Sequence, residues 1–210
     1  MSGIAPYRND AADFIYNLLF CDEPVLFARG AKDHPESDVA AILADAPDPA
    51  RIEKIANNEA GESRTRALAY NWLRLHGHAV PPRVLLGTIL EVPQDAGLDA
   101  LAAFADGSVR YINQTGRMAV IEGEVPAVSI TVKALLAASQ EIVNKIGPWE
   151  KPRLPPPAEG RLRMTFVVSD GLYFGEGPMA EMSRDPLAGK VFQKATQLLV
   201  LVTKLPGKPA

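Results

Sequence analysis

The run Leu98-Asp-Ala-Leu-Ala-Ala-Phe-Ala-Asp-Gly-Ser-Val-Arg-Tyr-Ile-Asn-Gln-Thr-Gly-Arg-Met-Ala-Val-Ile-Glu122 decides the fold class. Asp106-Gly107 lies between two apolar stretches, the pattern of a two-residue type I′ turn, which needs positive φ at both central positions. Gln114-Thr115-Gly116 then turns Ser108–Asn113 back into Arg117–Glu122, so Leu98–Ala105 is the first of three antiparallel strands. A two-residue turn at Asp106-Gly107 predicts the register. It places Phe104, Val109, Tyr111, Ala119 and Ile121 on one face, and Ala103, Ser108, Arg110, Ile112, Met118 and Val120 on the other. Neither set is polar, so both faces of this sheet require a cover.

Upstream, Arg83–Val92 adds a fourth strand to a meander over 83–122, with Thr88 and Glu91 the polar residues inside it. Before Val80-Pro81-Pro82 the apolar period is helical. Asp10 is placed to cap a helix carrying Phe14, Ile15, Leu18 and Leu19, and a short helix is expected over Ser37–Ala44. Asp48-Pro49 starts another, since Asp favours the cap and Pro the first helical position. The polar run Asn57–Gly61 leaves open whether 49–76 is one helix or two, and Gly77 ends it. Downstream, Val128, Val132, Leu135, Leu136, Ser139, Ile142, Val143 and Ile146 form the apolar stripe of a helix over 127–146. A proline-rich connector, 148–160, leads to a hairpin over 161–175 turning at Asp170-Gly171. Asp185-Pro186 opens a final helix, 186–204. The segment after Arg161 is too short to bury a core alone. The expectation is therefore one α+β domain over 1–210: a helical subregion, 1–78, then a mainly antiparallel sheet covered by helices, 79–205.

Composition narrows the function classes. The chain has 210 residues, 47% hydrophobic and 22% charged, with a net charge of −3, which is not the composition of a disordered chain. That net charge conceals a division, −7 over residues 1–150 and +4 over 151–210. Opposed fields of this kind favour docking of one end onto the other, within the chain or between copies. Cys21 is the only cysteine, which excludes a disulfide framework and a cysteine zinc site. With neither a basic leader before an apolar run nor a read bilayer span, the expected location is cytoplasmic, without a membrane partner. No basic footprint points to nucleic acid.

Signatures of catalysis are missing. His76 and His78 stand at a helix end, where the helix dipole favours them, and His34 is distant, so no metal or other cofactor is expected. No G-x-S-x-G or phosphate-cradling glycine loop occurs, and Asp22 and Glu23 beside Cys21 disfavour its thiolate. The densest polar stretch, Asn57–Arg66, offers Glu59, Arg64 and Arg66 near a helix start, where backbone N–H groups and guanidinium forks can hold an anion. Its alternative is a solvated helix start in which Glu62 pairs with Arg66. Arg110, among apolar neighbours, needs a partner, for which Glu122 and Asp99 are placed, and Tyr111 adjoins it. The stretch 106–121 resembles one unit of the Y-I-N-x-x-G-K hairpin repeats of bacterial WG-type proteins. It covers 16 residues and does not recur, so it implies hairpin chemistry and no function. The leading expectation is a non-catalytic protein–protein interaction or accessory module that self-associates. The alternative is an enzyme or small-ligand-binding protein holding a small anionic ligand through Glu59, Arg64, Arg66, Arg110 and Tyr111.

Overall fold

A computed structural model describes residues 4–95, 97–123 and 125–205. Its centre is a six-stranded antiparallel sheet in the order β4-β3-β2-β1-β5-β6. The strands are β1 Leu85–Gln94, β2 Gly97–Phe104, β3 Val109–Ile112, β4 Met118–Ile121, β5 Arg161–Val168 and β6 Gly171–Pro178. The expected α+β class is thus the observed one, with the 161–175 hairpin extended to Pro178 and joined to the meander through β1 and β5. Helices cover both sides. On the first face lie α1 Asp10–Leu18, a 3-10 turn Pro24–Phe27, α2 Ala28–Asp33, α3 Asp38–Ile42, α4 Pro49–Asn57 and α5 Ser63–Leu75. On the second lie α6 Pro126–Val143 and α8 Ala188–Lys204, with the short α7 Met179–Met182 between β6 and α8.

Two cores result, one on each side of the sheet. The first buries Tyr16, Leu19, Ile52, Leu68 and Leu73 against Ile89, Ala100, Ala102, Phe104 and Ile112. The second buries Val128, Val132, Leu135, Val191 and Leu198 against Leu101, Ala103, Val109, Met164 and Phe166. α6, 18 residues long, is apolar enough by length and composition to cross a membrane. Val128, Val132, Leu135 and Val143 are buried in the second core, while Ile130 points outward.

One prediction is corrected by a single residue. The loop after β2 has three residues, Ala105-Asp106-Gly107: the Gly107 N–H bonds the Phe104 carbonyl, and the Phe104 N–H bonds that of Ser108. Only Gly107 takes positive φ there, at 87°. The extra residue reverses the face of β2 relative to β3, so Ala103, not Phe104, stands opposite Val109. Phe104 lies on the first face over Gly87, where a Cβ would sit 2.6 Å from its ring. Volume complementarity thus fixes the register.

Other boundaries shift for local reasons. Asn9, not Asp10, caps α1, accepting from the N–H groups of Ala11 and Ala12. The 49–76 stretch is two helices, because Gly61 N–H bonds back to the Asn58 carbonyl and closes a turn. Asp185 accepts from the N–H groups of Leu187 and Ala188, so the last helix begins two residues after its proline. Val168 pairs with Gly171, placing the β5–β6 turn at Ser169-Asp170.

Candidate functional site

The sequence candidates separate. Arg66 is buried, and its Nε donates to the Ala56 carbonyl at 3.0 Å, tying α5 to the end of α4. Glu62 pairs not with Arg66 but with Arg64, whose Nε donates at 2.8 Å, and it also accepts from the Thr65 hydroxyl. Glu59 is exposed in the loop between α4 and α5. Arg110 is buried on the first face; it donates to the Val109 and Ile121 carbonyls and pairs with Glu122. Burial, then the like charge of Arg64, lower its pKa. Asp99 is not its partner: the ladder places Asp99 on the opposite face, where it accepts from the Gln114 N–H at 2.7 Å. Tyr111 shares that second face. Arg64 and Arg110 therefore approach one corner, while Arg66 is internal and Tyr111 lies across the sheet. These five residues do not line a common pocket. His76 and His78 both stack on Trp72, and His34 sits at the surface beside Glu36.

The densest buried polar group lies elsewhere, on the first face beneath the proline-rich connector. Glu91, Arg163 and Glu176 stand opposite one another on β1, β5 and β6. The Tyr16 hydroxyl donates to Glu91 Oε1 at 2.6 Å, and Arg163 Nη1 is 3.9 Å from the same oxygen. Arg163 donates through Nε and Nη2 to Glu176, at 2.9 and 2.6 Å, and also to the carbonyls of Leu154 and Pro155. Arg153, from the connector, bonds Asp22 at 2.6 Å and Asn17 at 2.8 Å over the ring of Phe20. Glu91 is fully buried, and its Oε2 accepts no hydrogen bond from the described residues. Burial raises its pKa, against the lowering effects of Tyr16 and Arg163. Arg161 and Arg163 hold Glu176 low despite its own partial burial.

This constellation resembles an active site in its residue types but not in its space. The cavity among Tyr16, Glu91, Arg153 and Arg163 is about 20 Å³, room for one or two waters. The arginine donors are largely spent on carboxylates and connector carbonyls. The network fastens the connector and α1 to the sheet. Glu91 stood out in the sequence as a charge inside an apolar strand, but Tyr16 is 75 residues away and no local spacing joins them.

Two surfaces remain. The first is the outer edge of β4, which has no strand partner among the described residues. Met-Ala-Val-Ile of β4 carries no charge, and Met118 and Val120 are 44% and 55% exposed. Beyond Glu122 the edge meets an open groove floored by Phe14, Leu18, Leu26 and Phe27, with Arg29, Asp33 and Arg64 at its rim. The sequence placed Met118 and Val120 on one sheet face; that the N-terminal helices leave them uncovered is a matter of helix length and loop path.

The second is a cavity of about 270 Å³ on the second face. Leu90 and Leu101 of the sheet form one wall, and Phe192, Ala195 and Leu199 of α8 the other. The hydrogen bond from the Met179 N–H to the Gly160 carbonyl ties the loop before β5 to the start of α7, two further lining residues. Burial, then Asp99, push the pKa of Tyr111 in this lining up to about 12, so the phenol stays protonated.

No protein-family model, curated protein or solved structure matches the chain.

Proposed function

We propose that this protein acts without catalysis, through protein–protein contact, and that its first partner is a second copy of itself joined along β4. The observation that carries this reading is the uncharged, unpaired β4 edge with Met118 and Val120 exposed beside it. An edge of this kind is a template for another strand, and monomeric proteins usually blunt it with lysine, proline or a bulge. Lysine, proline and a bulge are all missing from Met118–Ile121, which leaves the strand's four-residue length as its one protection. The strand is also self-complementary. With Ala119 opposite Ala119 about a two-fold axis, Met118 meets Val120 twice on the first face, and Arg117 meets Ile121 rather than a like charge. Isologous pairing of this kind is the commonest route to a dimer. The opposing reading, an anionic ligand held by Glu59, Arg64, Arg66, Arg110 and Tyr111, loses its footing because those residues do not share a pocket.

Sedimentation or light scattering tests the proposal. The wild-type chain is expected to run as a dimer, and Val120→Lys as a monomer with unchanged far-UV circular dichroism. A wild-type chain that stays monomeric at the highest attainable concentration overturns the reading, as does a folded Val120→Lys variant that still dimerises.

A further inference from the structure

We infer that the cavity between the second sheet face and α8 is a binding site for a small, neutral, largely apolar molecule. Size comes first. Ligand sites are concave and mostly apolar, with volumes of about 300–1,000 Å³, and at about 270 Å³ this one, at the small end, suits a body of two or three rings. Its position is also that of a site: it opens at one end of the sheet, over the last residues of β1, where α8 stands off the strands.

The chemistry of the lining sets the class. Two charged residues line the cavity, Asp99 and Arg161. Asp99 accepts from the Gln114 N–H, and Arg161 donates Nε to Glu176 on the first face. Thr196 donates its hydroxyl back to the Phe192 carbonyl. Gln94, at the exposed end, is neutral. A ligand anion would meet the Asp99 carboxylate with Arg161, the other charged lining residue, turned to Glu176, and a buried charge without a partner is costly. An apolar body meets Leu90, Leu101, Phe192 and Leu199 with no such penalty. The Tyr111 hydroxyl, in the same lining, can donate to or accept from one polar group of the ligand. This site is on the face opposite the β4 surface patch, and the inference stands whether or not the chain dimerises.

Titration of the full chain with N-phenyl-1-naphthylamine, a neutral fluorescent probe, tests it. Saturable enhancement is expected at one probe per chain, and Ala195→Phe, which fills the cavity, is expected to weaken binding at least tenfold. The sulfonated analogue, 1-anilinonaphthalene-8-sulfonate, is expected to bind at least tenfold more weakly than the neutral probe. Wild-type methyl resonances keep the test independent of whether the variant folds: shifts must centre on Leu90, Leu101 and Leu199. The inference is overturned by any one of four results: no saturable binding; shifts centred on Phe14 or Met118; equal or tighter binding of the sulfonate; or unchanged affinity in a folded Ala195→Phe chain.

Discussion

Glu91 shows how burial and hydrogen bonding oppose each other at one side chain. Tyr16 and Arg163 favour its carboxylate, but desolvation outweighs them and the folded-state pKa is raised above the ordinary 4.5. A raised carboxyl pKa means that the folded chain holds the proton more tightly than the unfolded one. Its contribution to stability is fully present below about pH 4.5 and declines as pH rises through the folded-state value. Glu91→Gln keeps the shape, keeps an oxygen for Tyr16 and removes the titration. The variant is therefore expected to gain stability relative to wild type as pH rises from 4 to 8, read from urea midpoints at each pH. A gain that is flat or shrinks with pH would show that the Arg163 charge, not desolvation, governs the site. In the sequence Glu91 is visible as an intruder in an apolar strand. Its protonation balance is not visible, because it depends on Tyr16 in α1 and on Arg163 in β5, with three strands, α6 and the connector between.

At the scale of the element, the β2–β3 turn carries more than chain reversal. Asp106 Oδ1 accepts from the Ser108 N–H, as turn aspartates do, while Oδ2 accepts from the N–H of Ser63, the first residue of α5. The Ser63 hydroxyl returns an acceptor to the Asp106 N–H at 2.9 Å. One hairpin tip thus satisfies an N–H at the helix start that Glu62 leaves uncapped. Burial alone would raise the Asp106 pKa, but these N–H donors overcome it and the net shift is downward. Asp106→Ala is expected to cost about 1 kcal/mol near neutral pH, in the range of a lost helix cap. A lowered pKa places that stabilisation above the ordinary 3.8, and the difference from wild type should close as pH falls below it. Denaturant unfolding of the two proteins at pH 7 and pH 2.5 checks both statements. The Asp-Gly pair announced this turn, and proline-led starts announced α4 and α8, since each signal is local. The loop length was not legible, because a three-residue loop and a two-residue turn share the same dipeptide. The register follows from Phe104 filling the space over Gly87, a contact between strands. The 3-10 turn at Pro24–Phe27 and α2 are not legible because they have no apolar period of their own and bury only Ala31 between them.

For the molecule as a whole, the charge asymmetry is partly spent inside the chain. Arg153 of the basic C-terminal part bonds Asp22 and Glu23 of the acidic N-terminal part, so the proline-rich connector works as a strap across the first face. Because the six strands form the wall of both cores, neither core can open without disturbing the other's support. Residues 1–78 and 79–205 should therefore unfold together, and the lone cysteine gives a direct test. Cys21 is buried in the first core, where burial raises its thiol pKa and conceals it from labelling. Leu135, fully buried, lies in the second core. Leu135→Ala should destabilise the chain by about 2–5 kcal/mol, the usual cost of a large-to-small change in a packed core. In a single cooperative unit that loss lowers the urea midpoint for Cys21 labelling by the same amount as the midpoint read from far-UV circular dichroism. If Cys21 keeps its wild-type midpoint while the helical signal shifts, the N-terminal helices fold as a unit of their own. The segment 76–84 would then be a linker between domains, and the first face of the sheet would be a docking platform instead of part of a common core.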